Sequence, residues 1–284
     1  MAATIKSLLE RRSPLVAPGA YDGISALLIR ELGFDAAYIG SFAVTAAKHG
    51  LPDIGFASID DMAESVRCVS AVADVPIIVD GEGGFGNALH VARTVRVLER
   101  AGASATHIED HSFGKHLGAP KVIPVKQAVD KIKAAVDARA SEDFLIIGRS
   151  DAEMSEGQEA TVDRLLAYQE AGADILFMAR ALRAGDVLNK RLVAESKVPI
   201  LITNGPNTGY TAADLGEQGA SIVLYPTTTS LAAESGMRRA FEAIARDGST
   251  AAVDDSIGTN AQFEEFVGTS EYRATAERIG LLQY

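Results

Sequence analysis

The chain alternates short apolar runs with longer segments in which apolar residues recur every three or four positions. Four of the apolar runs follow a glycine that ends a helical pattern: ELGFDAAYIG (31–40), RAGASATHIED (100–110), EAGADILFMA (170–179) and EQGASIVLYP (217–226). Four more runs follow other residues: LVAPGAYD (15–22), PIIVD (76–80), FLIIGRSD (144–151) and PILITN (199–204). The pattern predicts eight β-strands.

The segments between these runs have the period of amphipathic helices, as at 58–72, 88–101 and 125–139. Uniformly apolar strands that alternate with amphipathic helices are typical of a parallel sheet covered by helices. Eight even units predict one (β/α)8 barrel domain over 1–248, and an open doubly wound sheet is the alternative. Residues 249–284 contain no ninth strand. We expect one or two helices there, covering the barrel rim or packing on a neighbouring subunit.

Composition narrows the possible partners. The 284 residues are 47% hydrophobic and 23% charged, which is typical of a folded globular protein. The net charge of -11 disfavours nucleic acid and anionic membrane surfaces, so we expect a small-molecule ligand. The single cysteine, Cys68, excludes an intrachain disulfide, and no apolar run suits a signal peptide or a membrane span. A cytoplasmic location is expected. Cys68 itself is predicted to pack in the core.

Polar residues follow nearly every predicted strand, at the end of the barrel where such folds carry their chemistry. They are Asp22, Ser41, Asp80, Glu82, Glu109, Asp110, Arg149, Asp151, Asn204 and Tyr225. Asp22 or Asp151 alone could simply cap the next helix. The set as a whole predicts an active site.

Three carboxylates, Asp80, Glu82 and Glu109, follow adjacent strands, and Asp53 lies in the polar loop HGLPDIGF (49–56). Unpaired acids this close would repel, and a divalent cation would remove the repulsion. An all-oxygen set favours Mg²⁺ or Mn²⁺ over Zn²⁺. Arg149 would then bind a substrate carboxylate, and a salt bridge to one of the acids is the alternative.

Two loops allow a second interpretation. Gly81, Gly83 and Gly86 have the spacing of a dinucleotide-binding loop, but Asp80 and Glu82 would oppose a pyrophosphate there. The long loop after strand 4 carries the basic residues His111, Lys115, His116 and Lys121. It is a candidate lid with hinges at Gly114 and Gly118, or else a solvated basic loop.

The motifs resemble the isocitrate lyase and phosphoenolpyruvate mutase superfamily from about residue 14 to 245. They are APGAYD, YIGSFAVTAAKHGLPD, VDGEGGFGNALHVARTVRVLERAGA, THIED and IIGRSDA. The resemblance implies that Asp80 binds the metal directly and that Asp53, Glu82 and Glu109 hold its water ligands. It also implies that Ser41 and the backbone of Phe42 and Ala43 bind an oxo-acid, with Arg149 on a carboxylate. The fold implied is a barrel that exchanges its eighth helix between subunits, usually in a tetramer.

The sequence departs from that superfamily at four places. Its usual D-x-D is here Asp80-Gly81-Glu82, and GKHLG (114–118) stands where lyases carry an acid cysteine. No asparagine for a mutase occurs between Asn87 and Asn189, and FMARAL (177–182) lacks the glutamate that lyases place after strand 6. The remaining motifs, GNAL at 86–89 and LAYQEAGAD at 166–174, resemble those of the decarboxylase branch of the superfamily.

We therefore expect loss of carbon dioxide from a 2-oxo acid such as oxaloacetate through a pyruvate-type enolate. The candidate catalytic residues are Glu109, Lys115, His116 and Arg149, and Asn204 and Tyr225 are candidates for substrate binding. The alternatives are a 2-methylisocitrate or dimethylmalate type of lyase, a phosphonopyruvate mutase or hydrolase, and a protein that binds a 2-oxo acid without catalysis. A homo-oligomer, dimer or tetramer, is expected.

Overall fold

The computed structural model describes residues 3–11, 14–112, 115–118, 121–179 and 188–281. Within these ranges eight parallel strands form one sheet in the order β1-β8-β7-β6-β5-β4-β3-β2. The strands are β1 (Leu15–Pro18), β2 (Ala37–Ile39), β3 (Ile77–Asp80), β4 (Ala105–Glu109), β5 (Leu145–Ser150), β6 (Ile175–Met178), β7 (Ile200–Thr203) and β8 (Ile222–Tyr225). A bridge between Gly19 and Tyr38 brings β1 to β2.

This sequential order confirms the nearly closed (β/α)8 barrel. The alternative prediction of an open doubly wound sheet is wrong, because the strand order of such a sheet would reverse at a switch point.

The helices fall between the strands and after the last one. They are α1 (Ile5–Leu9), α2 (Gly23–Glu31), α3 (Ser41–His49), α4 (Ile59–Ala73), α5 (Ala88–Ala101), α6 (Val125–Ala138), α7 (Glu153–Glu156), α8 (Gln158–Glu170), α9 (Lys190–Glu195), α10 (Ala212–Glu217), α11 (Thr228–Asp247), α12 (Asp254–Ile257), α13 (Asn260–Phe266) and α14 (Thr269–Arg278). The three helices predicted at 58–72, 88–101 and 125–139 are confirmed as α4, α5 and α6. Asp22 caps α2 by accepting the Ser25 backbone N–H at 2.8 Å, so its role is the structural one.

Apolar side chains fill both the inside of the barrel and the layer between strands and helices. At the amino-terminal end, Ile5 and Leu8 of α1 join the same buried cluster as Leu15, Ile78 and Leu145. Burying a side chain of this size contributes about 1.5–3 kcal/mol. Apolar packing therefore fills the amino-terminal end of the barrel, whereas the buried acids Asp80 and Glu109 lie at the carboxyl ends of β3 and β4.

Cys68 is exposed, so its predicted place in the core is wrong. The buried face of α4 carries Met62, Val66 and Val69, at the helical spacing of three or four residues. Cys68 is two positions from Val66, which turns its side chain to another side of the helix.

Two compact units divide the chain at Ser230 and Leu231. The second unit contains the later part of α11 and the helices α12 to α14. Helices are thus present beyond residue 248, but the described residues form three of them where the sequence predicted one or two. Apolar side chains of α11 are exposed at Leu231, Met237, Phe241 and Ile244. The domain boundary at 248 and the exchange of a helix between subunits stay predictions. No helix among the described residues is long and apolar enough to cross a membrane.

Candidate active site

The four predicted carboxylates lie together and are buried. Asp80 ends β3, Glu109 ends β4, and Asp53 lies between α3 and α4. The Ser41 hydroxyl at the start of α3 is shared between Asp53 Oδ1 (3.1 Å) and Asp80 Oδ2 (3.0 Å). The sequence correctly predicted that these strand ends meet.

Glu82 occupies an unusual backbone conformation for a residue with a side chain, since its φ is 51°. Such a conformation costs on the order of 1 kcal/mol and persists only where neighbours fix it. Here the Glu82 N–H donates to Asp80 Oδ1 at 2.8 Å, and its carbonyl accepts the Glu109 N–H at 3.0 Å. The turn therefore directs the Glu82 carboxylate into the cluster.

The glycine preceding it, Gly81, is required by packing. A Cβ atom at Gly81 would lie 2.6 Å from the backbone oxygen of His107 in β4. The glycine-rich segment thus brings β3 close to β4. Gly81, one of the three glycines with the spacing of a dinucleotide-binding loop, is therefore explained by packing, and no bound phosphate is needed to account for it.

Lys115 reaches into the middle of the carboxylates. Its Nζ lies 2.6 Å from Glu82 Oε1, 3.4 Å from Asp53 Oδ1 and 3.9 Å from Glu109 Oε1. It also donates to Ser41 Oγ at 3.2 Å, and the residue is buried. For Lys115 the alternative of a solvated basic loop is therefore wrong.

The other basic residues of the loop lie elsewhere. His116 is at the rim, where its Nδ1 lies 2.8 Å from the Asp53 carbonyl oxygen and its side chain is 35% exposed to solvent. His111 Nδ1 lies 2.7 Å from the Ser112 carbonyl oxygen, and Lys121 is exposed. The proposed hinge at Gly114 lies outside the described residues, as do residues 180–182 of the FMARAL segment.

The cluster suits a divalent cation. The Lys115 ammonium already places one positive charge among three carboxylates, which shows that the cluster accommodates a cation. Glu109 Oε2 receives no well-aligned hydrogen bond. In the ranges that the structure describes, no three Asp, Glu, His or Cys side chains converge as direct ligands. This arrangement fits Mg²⁺, which keeps several waters and takes one or two carboxylates directly.

The charges of the cluster shift one another's protonation. Burial alone would raise the pKa of the Asp80 carboxyl, but the interactions with His107 first, and then with the charged Lys115 and Arg149, hold it well below its ordinary value. Burial, and then the charge of Asp80, raise the pKa of Glu82 to about 8. Burial would lower the pKa of Lys115, but the surrounding acids raise it strongly, so the ammonium stays charged.

Arg149 ends β5 beside the cluster, but its forked edge is already engaged. Nε and Nη2 donate to the two oxygens of Asp151 at 2.8 and 3.0 Å. Nη1 lies 3.2 Å from Glu109 Oε2, and the guanidinium carbon lies 5.1 Å from the Phe177 ring centroid. The salt bridge considered as an alternative is thus present, and the binding of a substrate carboxylate by Arg149 stays a prediction.

Asp110 and Asp151 act as supports. Asp110 accepts hydrogen bonds from the Ser150 hydroxyl at 2.7 Å, the Tyr168 hydroxyl at 2.7 Å and the Asp151 N–H at 2.9 Å. This buried network fixes Asp151, which in turn fixes Arg149.

Asn204 and Tyr225 lie at the ends of β7 and β8 and contact each other. Asn204 Nδ2 donates to the Tyr225 hydroxyl at 3.2 Å and to the Tyr210 carbonyl at 2.9 Å. Among the contacts described for them, none reaches the carboxylate cluster. Of the other predicted substrate contacts, Ala43 is buried and the Phe42 side chain is 41% exposed.

Two groups at the site were not predicted. One is His107, whose Nδ1 lies 3.5 Å from Asp80 Oδ1. Its position two residues before Glu109 in β4 was the available signal, because such residues face the same side of a strand. Lys131 of α6 donates to the Gly83 carbonyl at 2.7 Å. It lines a cavity of about 400 Å³ together with Glu82, Glu109 and Lys115.

Comparison with known proteins agrees with this geometry. The sequence profile described as phosphoenolpyruvate phosphomutase matches residues 5–245. A 2,3-dimethylmalate lyase from Eubacterium barkeri is 34% identical and aligns with 96% of each chain. The structure of oxaloacetate acetylhydrolase with 3,3-difluorooxalacetate superposes with a TM-score of 0.87 at 28% identity, covering 98% of this chain and 97% of the other.

A phosphonopyruvate hydrolase, solved as a complex with oxalate and Mg²⁺, gives a TM-score of 0.85 at 29% identity and covers 96% of this chain and 97% of the other. The chain is accordingly an enzyme of the carbon–carbon lyase and mutase type, and the non-catalytic alternative is set aside. The profile match over most of its length, and a relative of 34% identity over nearly all of it, place the chain in the phosphoenolpyruvate phosphomutase family of the isocitrate lyase and phosphoenolpyruvate mutase superfamily.

Proposed function

We propose that this protein is a Mg²⁺- or Mn²⁺-dependent carbon–carbon lyase that removes carbon dioxide from oxaloacetate or a similar small 2-oxo dicarboxylate. The observation that carries the proposal is the chemistry near the end of β4. A buried, charged lysine lies inside the acid cluster, while the single cysteine of the chain is exposed on α4. Decarboxylation needs a cationic site and a weak proton donor, and it needs no thiol.

The substrate's oxo-acid end would lie at the start of α3. This helix begins at Ser41 without a side-chain cap, which leaves the N–H groups of its first turn, including those of Phe42 and Ala43, available to an anion. The Ser41 hydroxyl lies between Asp53 and Asp80, next to the proposed cation. Asp80 would hold the cation, with Asp53, Glu82 and Glu109 around its waters. When bound, the cation supplies positive charge that favours the enolate left by bond cleavage.

The chain's own residues would then manage the charge and the proton. The bond between the distal carboxylate and its neighbouring carbon breaks, and its electron pair forms the double bond of the enolate. That carbon afterwards takes a proton from Lys115, inside the cluster, or from His116 at the rim. Arg149 Nη1 would bind the carboxylate that remains. Asn204 and Tyr225 would lie against the far side of the substrate.

A second candidate is a lyase that cleaves 2,3-dimethylmalate or a related hydroxy acid. It is favoured by the relative of that name, which matches nearly the whole chain. Such a reaction releases a second carboxylic acid whose α-carbon must be protonated, so it depends more strongly on a positioned acid. If the chain has the activity for which its structural neighbour, oxaloacetate acetylhydrolase, is named, it should hydrolyse oxaloacetate to oxalate and acetate.

The test is a substrate panel with purified protein and Mg²⁺: oxaloacetate, 2,3-dimethylmalate, 2-methylisocitrate and phosphonopyruvate. With oxaloacetate and Mg²⁺, we expect the wild-type protein to release pyruvate and carbon dioxide much faster than the Asp80→Asn variant does under the same conditions. Pyruvate with propionate from 2,3-dimethylmalate, and no enzymatic carbon dioxide, would support the lyase instead. Oxalate and acetate would support hydrolysis.

The predicted homo-oligomer is part of the proposal. The exposed apolar side chains of α11, Met237 and Phe241 among them, are of the kind that associate with another surface. Light scattering should give a dimer or tetramer, and a monomer at micromolar concentration would contradict it. The cytoplasmic location stays a prediction from the sequence.

A further inference from the structure

Tyr38 and His107 form a buried pair directly behind Asp80. The Tyr38 hydroxyl and His107 Nε2 are 3.0 Å apart, and the two rings are stacked with centroids 5.9 Å apart. His107 Nδ1 lies 3.5 Å from Asp80 Oδ1. Neither ring has appreciable exposure to solvent. The pair therefore connects β2 and β4 to the carboxylate at the end of β3.

The direction of the hydrogen bond between the two rings follows from the donors that each ring carries. Burial raises the pKa of the Tyr38 hydroxyl well above its ordinary value, and the charge of Asp80 acts in the same direction. Tyr38 therefore keeps its proton, and its O–H, 3.0 Å from His107 Nε2, donates to that nitrogen.

A neutral imidazole carries one N–H, so accepting at Nε2 places the hydrogen on Nδ1. Nδ1 has no other hydrogen-bond partner among the described residues. At 3.5 Å its contact with Asp80 is longer than an ordinary hydrogen bond and acts mainly through charge and dipole. The opposite tautomer would turn a lone pair toward a carboxylate oxygen, and the two would repel.

Packing keeps the pair in place. A Cβ atom at Gly40 would lie 2.8 Å from Tyr38 Cε1, so the tyrosine ring lies directly against the backbone that leads to Ser41. Phe177 packs edge-on against His107 with centroids 5.4 Å apart. The imidazole has little freedom to rotate away from Asp80.

We propose that Tyr38 and His107 are positioning residues for the metal-binding carboxylate: the Tyr38 hydroxyl fixes the tautomer of His107, whose Nδ1–H holds Asp80 Oδ1 in place. The inference rests on the proposed function, because it takes Asp80 as the direct metal ligand. The described contacts of the two side chains are with each other, with Asp80 and with Phe177, so we assign their action to Asp80. Groups that orient a metal ligand in this way typically change metal affinity about 10–100-fold when removed.

The test measures Mn²⁺ binding by the loss of the free-ion electron paramagnetic resonance signal, without substrate. Four variants form the series: Tyr38→Phe, His107→Leu, His107→Asn and Asp80→Asn. Tyr38→Phe removes only the hydroxyl. His107→Leu removes both nitrogens, and His107→Asn restores an N–H donor near the Nδ1 position. Thermal unfolding identifies any variant that has lost its fold.

We expect the dissociation constant to rise about 10–100-fold in His107→Leu, less in Tyr38→Phe, and to recover in part in His107→Asn. Nitrogen-15 NMR of the five histidines should show His107 protonated at Nδ1 in the wild type, with a changed tautomer population in Tyr38→Phe.

Two results would overturn the inference and leave the metal site standing. One is wild-type Mn²⁺ affinity in folded Tyr38→Phe and His107→Leu while Asp80→Asn loses binding. The other is an Nε2–H tautomer in the wild type, which decides the matter even if His107→Leu does not fold. Retention of Mn²⁺ binding by Asp80→Asn would instead overturn the proposed metal site, and the inference with it.

Discussion

The carboxyl ends of β2 to β5 differ sharply from those of β7 and β8. The first side carries buried charges of both signs, with Asp80, Glu82, Glu109, Lys115 and Arg149 in one connected set. The second side carries neutral groups, among which Asn204 and Tyr225 bond to each other and to nearby backbone. The barrel itself is regular, so the asymmetry comes from the side chains at the strand ends.

The difference separates two tasks. Charges buried together act strongly on a reacting group, because little water screens them and they need little reorganisation during reaction. Neutral hydrogen-bonding groups shape a pocket and contribute modestly to binding. We therefore assign bond cleavage to the charged side and substrate fit to the neutral side, and the variants below test that division.

The largest effect is expected for Asp80→Asn. The change keeps the shape of the side chain and removes the charge that would hold the cation, so turnover should fall at least about 10³-fold, since the charge stabilisation lost amounts to several kcal/mol. Wild-type activity should vanish with EDTA and return with Mg²⁺ or Mn²⁺. Unchanged metal affinity and turnover in the variant would remove Asp80 from the site.

Lys115→Met should have the next largest effect, and in two directions. Loss of the buried ammonium leaves the acids unpaired, so the free energy of unfolding of the metal-free protein should fall by about 3–5 kcal/mol and recover in part with Mg²⁺. Without the competing ammonium, Mn²⁺ should bind more tightly. If Lys115 donates the proton, kcat should also fall by about 10²-fold or more.

His116→Gln is the matched variant at the neighbouring position. A large loss of kcat in His116→Gln, with little change in Lys115→Met, would assign the proton to the rim histidine. If both variants keep nearly full kcat, the loop only covers the site, and a water or Tyr225 protonates the enolate.

Arg149→Lys should mainly raise KM. Lysine keeps the positive charge but cannot satisfy Asp151 with two nitrogens and also face Glu109, so binding of the substrate carboxylate weakens by roughly 10–100-fold, the value of one charged hydrogen bond. Steady-state kinetics with oxaloacetate measure the change. An unchanged KM would mean that Arg149 serves only its salt bridges.

Tyr225→Phe tests the neutral side. The variant loses one hydrogen bond to Asn204, so we expect kcat/KM to fall by about 3–10-fold, as for a neutral hydrogen bond of about 0.5–1.5 kcal/mol. A loss as large as that of Asp80→Asn would contradict the division of tasks between the two sides.

Cys68→Ser should have the smallest effect. The side chain is exposed on α4, so turnover should be unchanged and the free energy of unfolding should change by no more than about 0.5 kcal/mol. The same substitution tests the chemistry, because inactivation of a folded Cys68→Ser variant would restore a mechanism with a cysteine acid.

The sequence by itself determined the barrel and the place of its chemistry. The runs IIV (77–79) and LIIG (145–148) are apolar throughout, which is typical of a strand buried on both faces, and their even alternation with helices leaves few arrangements. Parallel strands bring their carboxyl ends to one side. Asp80, Glu82 and Glu109 therefore had to meet once the strands were assigned correctly.

Only the tertiary structure decided which groups pair within that set. Whether Arg149 pairs with Asp151, two residues away, depends on the direction of its long side chain. Whether Lys115 enters the acid cluster depends also on how segments far apart in sequence come together. The same holds for His107, whose type and position are equally those of a structural residue until Tyr38 and Asp80 are seen beside it. Periodicity assigns a face to each residue only approximately, as Cys68 demonstrates, whereas partner choice is a property of three-dimensional packing and of the electric field inside the barrel.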